Sequence, residues 1–284
     1  MRFAKGHGTG NDFVILPDPD GELDLSRELV AWLCDRHFGV GADGVLRVLR
    51  SAAAGAEAAG LAAEWFMDYR NADGSIAEMC GNGVRVFARY LLDAGLASGP
   101  EISIATRAGT RVVRAGTDGD FTVDMGPATV LGPGVADLAG QRLDGLAIMV
   151  GNPHLACVID QPVTTVDLSS PLVLRPAELA GGANVEILRV TGEHEVQMRV
   201  HERGSGLTLS CGTGAVAAAV AAAARAGEWP DQSRSWIVQV PGGKLAVTPS
   251  ATASLLTGPA EIVASGEVAA SWLADHSPVG LPST

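Results

Sequence analysis

The chain has 284 residues, 47% of them hydrophobic and 18% charged, enough apolar material for one large domain or two ordinary ones with substantial cores. A formal charge of −12, from 20 basic and 32 acidic residues, argues against a nucleic-acid backbone or an anionic membrane as partner, while a locally positive pocket stays open to a small acidic ligand. The cysteines (Cys34, Cys80, Cys157 and Cys211) form no CxxC pair, which argues against structural zinc and thioredoxin-type redox chemistry; with neither a signal-peptide core nor about 18 uninterrupted apolar residues, the sequence predicts a cytoplasmic protein with reduced thiols.

In chain order, RFAKGHGTGNDFVIL reads as strand, glycine-rich turn and strand. DLSRELVAWLCDRHF reads as a helix capped near Ser26, with apolar positions at helical spacing. AAEWFMDYR alternates as a strand does, VRVFARYLLDAG is helical, and EISIAT, TRVVRAG and DFTVDM are short strands. GPATVLGPGV reads as a linker. Beyond it LAIMV, ACVID, NVEILRV and VQMRVHER read as strands, an alanine-rich helix follows Cys211, and SWIVQV, KLAVT and ASLLTG are strands again. Each half is therefore strands, one strong helix, then more strands. That plan predicts an internal duplication with its boundary near Met125, and an α+β fold of two related domains, 1–124 and 125–258.

Both strong helices are introduced the same way, by CGNG at Cys80 and CGTG at Cys211, about 130 residues apart. The first turn of a helix has N–H groups without intrahelical partners, and the helix dipole makes that end positive. A thiolate or a bound carboxylate is stabilised there, and glycines let a ligand approach the backbone. A dipole term of ~0.3–1 kcal/mol, reaching ~2 when partly buried, moves a thiol from ~8.5 towards ~7, making it a usable base at neutral pH. If the two domains face each other across a cleft, two thiols and two helix starts converge on one small anion. The pair then titrates together, with one thiolate and one thiol as the working state. A base on one face of a carbon and an acid on the other is what inversion of a stereocentre requires. No metal or redox cofactor is called for, and GHGTGND lacks the context of a nucleotide loop. Cys34 and Cys157 read as small buried hydrophobes.

Four asparagines, Asn11, Asn71, Asn152 and Asn184, stand in polar clusters where turn formation is the simpler explanation for each alone. Together they offer neutral donors and acceptors suited to a zwitterion. Glu202 and Arg203 pair an acceptor for an ammonium with a fork for a carboxylate, or else form a surface ion pair. GNPH places His154 in a tight turn after a strand, structural or able to tune a thiol.

At this point the sequence resembles the diaminopimelate epimerase family. The resemblance rests on GHGTGNDFV, DRHFGVGADGVL, YRNADGSIAEMCGNGVRVFARYL, VGNPHLACV, NVEIL, ERGSG, SCGTGAVAAA and VPGGKL, and it spans nearly the whole chain. It implies two pseudo-symmetric domains, each a mostly antiparallel sheet wrapped around a central helix, with residues 259–284 returning to the first domain. It also implies an active site in the cleft between them and a possible homodimer. The reaction implied is cofactor-independent interconversion of L,L- and meso-diaminopimelate, in lysine and peptidoglycan-precursor synthesis. By resemblance Cys80 and Cys211 are the acid/base thiols, and His154 and Glu202 tune them. Gly81, Asn82, Gly212 and Thr213 hold the carboxylate of the reacting centre. Asn11, Asn71, Asn152, Asn184, Glu202 and Arg203 hold the rest of the substrate. Gly44 stands where a substrate-contacting glutamine is common, Leu207 replaces a usual glutamate, and the LAGGA lead-in to Asn184 is atypical. The alternatives are a racemase of the same fold acting on another amino acid and a non-catalytic thiol-sensing or binding protein.

Overall fold

A computed structural model gives the fold and describes residues 1–138, 140–169, 172–175, 179 and 181–276. In chain order the first elements are β1 (Arg2–Gly8), β2 (Asn11–Pro17), α1 (Arg27–Cys34), β3 (Gly44–Arg50) and β4 (Trp65–Asn71). They are followed by α2 (Gly81–Asp93), β5 (Glu101–Thr106), β6 (Gly109–Ala115) and β7 (Asp120–Asp124). Then come β8 (Thr129–Leu138), β9 (Gln141–Val150), β10 (Asn152–Val158), β11 (Leu172–Arg175) and β12 (Asn184–Gly192). β13 (Glu195–Glu202), β14 (Gly206–Thr208), α3 (Gly212–Arg225), β15 (Trp236–Val240) and β16 (Gly243–Thr248) come next. The last are β17 (Leu255–Pro259), β18 (Glu261–Glu267) and α4 (Ala270–His276). Among the described residues no helix is long and apolar enough to cross a membrane.

The chain falls into two compact units. Counting described residues, one holds Met1–Gly8, Asp12–Phe121 and Ala260–His276, and the other holds Thr9–Asn11 and those within Thr122–Pro259; the rest of the returning segment 259–284 lies outside the described residues.

In the first unit β18 pairs antiparallel with β1, and β1 pairs with β2. The ladder continues through β3, β4, β5 and β6, parallel at β2–β3 and β4–β5 and antiparallel at β3–β4 and β5–β6. These strands wrap α2, whose Val84, Val86, Phe87, Ala88 and Leu91 are fully buried. β2 is covered on both faces, which explains its unbroken apolar run: Phe13 lies towards α2, while Val14 and Leu16 pack with α1. Ser26 caps α1 by accepting the Leu29 N–H at 3.1 Å. The helix is shorter than the sequence pattern suggested. It stops at Cys34 because Asp35 turns extended and its carboxylate takes the N–H groups of His37 and Phe38, both at 2.7 Å.

The second unit repeats the pairing plan around α3. β10–β12 is parallel, β12–β13 antiparallel, β13–β15 parallel across α3, and β15–β16 antiparallel, matching β2–β3, β3–β4, β4–β5 and β5–β6. Alanines fill α3, and Ala215 to Ala223 are buried all round, so strands approach the helix closely from every side. This is the expected α+β architecture of two related sheet-and-helix units.

Two further expectations fail locally. The GPATVLGPGV linker is strand β8, paired with β9 and β11. Its register shifts between Val130 and Gly132, and Gly132 takes φ 127, so a bulge accommodates residues that otherwise break strands. His154 lies in β10, opposite Ile148 on β9 and Asn184 on β12, and not in a tight turn. Gly151, at φ 73, makes the turn alone.

Candidate active site

Cys80 is the N-cap of α2, extended at φ −137 and ψ 123, and its Sγ accepts the Gly83 N–H at 3.4 Å. The next residues, Gly81, Asn82 and Gly83, are buried. They are tied to a side chain that sequence reasoning missed. Arg85 has no solvent exposure and donates to the Gly81 carbonyl at 3.2 Å and to Asn82 Oδ1 at 2.9 Å. Among the described residues it forms no salt bridge with a carboxylate, and its Nε has no partner. Burial pushes the Arg85 guanidinium down to about 10, opposed by the charges of Cys80 and Asp120, so it is a cation at neutral pH. A Cβ at Gly8 would lie 3.1 Å from Arg85 Nη2, so this glycine makes room for the guanidinium.

Asn71 ends β4, where its amide donates to Ser75 Oγ at 3.0 Å. Opposite it on β3 stands Gly44. A Cβ there would lie 2.6 Å from the Arg70 carbonyl and 2.9 Å from Tyr69 Cε2, so a glutamine does not fit this backbone without displacement.

Cys211 caps α3 in the same conformation, φ −126 and ψ 120, with the Gly214 N–H again 3.4 Å from Sγ. Thr213 Oγ1 is 3.5 Å from the sulfur and Asn184 Nδ2 is 3.9 Å away. Asn184 Oδ1 accepts the Arg203 N–H at 2.9 Å, which fixes the amide between the sulfur and the backbone. Glu202 accepts from Thr208 Oγ1. Burial raises the Glu202 carboxyl, and burial with the charges of Glu202 and Glu186 pushes the Cys211 thiol well above its ordinary value.

Glu186 is the second residue that sequence reasoning missed. His154 and Glu186 are both fully buried, with Nδ1 2.7 Å from Glu186 Oε1, and His154 Nε2 is 2.9 Å from Asn152 Oδ1. Cys211, Thr213, Asn184, Glu202, His154 and Asn152 thus share one environment in the second unit. Thr9 and Ser210 also bond there, at 2.7 Å, in the same unit as Asn11. Glu202 and Arg203 do not form the suggested ion pair. The Arg203 guanidinium instead reaches the carbonyls of Gly181 and Gly182 at 3.5 and 3.4 Å. A signal for both missed residues exists in the sequence: each is a lone charge inside an apolar run, VRVFA for Arg85 and NVEIL for Glu186. Cys34 and Cys157 are buried, and burial pushes each thiol up to about 12, consistent with inert core positions.

The sequence model of a family described as diaminopimelate epimerase matches residues 3–131 and 146–263. A diaminopimelate epimerase of Thermobifida fusca is 57% identical, covering 96% of this chain and 100% of its own. One of Mycolicibacterium vanbaalenii is 50% identical, covering 96% and 99%. Among solved structures, a probable proline racemase from Agrobacterium radiobacter has a TM-score of 0.68 at 15% identity, covering 95% of this chain and 93% of its own. A hydroxyproline epimerase from Agrobacterium vitis, with trans-4-hydroxy-L-proline bound, has a TM-score of 0.66 at 16% identity, covering 99% and 94%. At these identities the structural matches speak for the fold.

Proposed function

The chain belongs to the diaminopimelate epimerase family, and we propose that it interconverts L,L- and meso-diaminopimelate with Cys80 and Cys211 as the acid/base pair. The observation that carries this reading is that two helices each start on a cysteine whose sulfur accepts a first-turn N–H at 3.4 Å.

One cysteine, as thiolate, takes the α-proton and becomes a thiol. The electron pair left on the α-carbon spreads into the adjacent carboxylate, where the first-turn N–H groups at Gly81 and Asn82, and at Gly212 and Thr213, oppose the growing charge. The other cysteine, as thiol, delivers its proton to the opposite face and becomes a thiolate. The proton count is unchanged and nothing is oxidised or reduced. Glu202 and His154 tune Cys211. Asn11, Asn71, Asn152, Asn184 and Arg203 hold the distal amino-acid end. We further read the enzyme as cytoplasmic and homodimeric, the latter checked by light scattering on the purified chain.

The test is incubation of each isomer in deuterium oxide with isomer-resolved chromatography and mass spectrometry. The product isomer is expected to carry one deuterium at the inverted carbon. Turnover of proline, glutamate or histidine with none of diaminopimelate overturns the substrate assignment. Binding of diaminopimelate without α-proton exchange overturns catalysis altogether.

A further inference from the structure

The buried carboxylate of Glu186 has no part in the scheme above, yet it lies at the start of α3. It is fully buried on β12, its Oε1 is 2.7 Å from His154 Nδ1, and its Oε2 has no partner among the described residues. A Cβ built at Gly214 would lie 2.6 Å from that same Oε1. The carboxylate therefore presses on the first helical turn, three residues after Cys211. A buried carboxylate with an unpartnered oxygen carries a desolvation cost, and such a group in a native fold calls for a reason.

We propose that Glu186 is a positioning residue for the epimerisation: its carboxylate fixes the His154 ring and sets the charge at the start of α3. A carboxylate can only accept, so His154 donates to Glu186 from Nδ1, which holds the ring with Nε2 facing the Asn152 side-chain amide. The charge also reaches Cys211. Burial is the main cause holding that thiol in its protonated form, and Glu202 and Glu186 add to it.

The ionisable and polar groups around this thiol come from four elements. β10 contributes His154, β12 contributes Asn184 and Glu186, β13 contributes Glu202, and the helix itself contributes Thr213. β9, β15 and β16 also pack on α3, but the residues they bury are apolar, such as Ala147, Val238 and Val247. Removing the charge of Glu186 therefore leaves Glu202, among the described residues, as the carboxylate that disfavours the thiolate.

This inference rests on reading Cys211 as an acid/base thiol, and the tests are arranged to separate the two. Glu186→Gln keeps the shape and the acceptor for Nδ1 but removes the charge. Its kcat is expected to fall about tenfold with KM little changed. The basic limb of its pH–rate profile and the pH midpoint of Cys211 alkylation, read by peptide mass spectrometry, both move down by about one unit. A merely structural role lowers activity at every pH and moves neither limb nor midpoint, and that result overturns the proposal, as does wild-type behaviour of the variant. Should the variant not fold, the wild-type protein still decides. Nitrogen NMR of labelled histidine must show the proton of His154 on Nδ1, and a ring bare at Nδ1 overturns the assignment. Alkylation and NMR need no substrate, so they stand or fall separately from α-proton exchange by the wild type.

Discussion

At the starts of α2 and α3 the backbone does the same thing twice. Cys80 and Cys211 adopt nearly the same dihedral angles, and each sulfur accepts the N–H three residues on at the same distance. The buried charged side chains beside them differ. Five residues beyond Cys80 stands the buried cation Arg85; five beyond Cys211 stands Val216, and the charges nearby are the carboxylates of Glu202 and Glu186. A helix start alone treats both thiols alike. The buried charges make their settings unequal: a guanidinium lies near Cys80, while Glu202 and Glu186 add to burial in holding the Cys211 thiol protonated. An acid/base pair needs that inequality to have one base and one acid ready at once.

The most severe way to break the comparison is to remove either sulfur. Cys80→Ala and Cys211→Ala are each expected to lower the rate of epimerisation by at least about 10³-fold, within the range for loss of a general acid or base, with the fold intact by circular dichroism. Near-wild-type turnover in either variant removes the two-thiol scheme.

The polarity itself is next. In the wild type the alkylation midpoint of Cys80 is expected to lie below that of Cys211. Arg85→Met raises the Cys80 midpoint by about one pH unit, leaves that of Cys211 in place, and lowers kcat about tenfold, with partial recovery in Arg85→Lys. Equal midpoints in the wild type contradict the assignment of charge.

A smaller contrast lies in the helix glycines. A methyl at Gly214 meets Glu186 Oε1 at 2.6 Å, an atom pinned by His154, whereas one at Gly83 meets Cys80 Cβ and Leu46 Cδ2 at 3.3 Å. Gly214→Ala is expected to cost about 1–3 kcal/mol in denaturant melts, and Gly83→Ala less than about 1 kcal/mol. The reverse order says that the Glu186 carboxylate is free to move.

The smallest effect concerns two carboxylates of opposite behaviour. Burial works against the charge of Asp12, but Arg36 and Lys5 outweigh it and hold the group down to about 2. Because its folded value is depressed, its stabilisation is complete above the ordinary carboxylate value and is lost as pH falls from about 4 towards 2. Glu202 is raised by burial, so protonation favours the folded form and acid works in its favour. Asp12→Asn is expected to flatten the acid limb of a stability curve by about 1 kcal/mol, allowing for solvent around Arg36. An unchanged limb means that the Asp12 network carries no acid sensitivity.

Much of the fold is legible along the chain because the signals are local. Ser26 before an apolar helical stripe and the Cys-Gly-x-Gly starts need only near neighbours to be read, and both strong helices begin where the sequence places them. GPATVLGPGV is not legible as a strand, because the partners that hold β8 extended come from β9 and β11. His154 misleads for the same reason: its neighbours on β9 and β12 determine that it is buried in a strand. Of the candidate site, the capping thiols are read from spacing. Arg85 and Glu186 pass as ordinary charges, since nothing in the linear sequence says that their surroundings exclude water.

The sequence by itself determined the duplicated plan, the two cysteine-capped helices and the family, because periodicity, caps and motif spacing depend on residues close together in the chain. Only the tertiary structure decided that a guanidinium lies buried by one thiol and two carboxylates by the other. Burial and charge proximity depend on residues far apart in sequence, such as Gly8 beside Arg85 and His154 beside Glu186, and those are the quantities that distinguish an acid from a base.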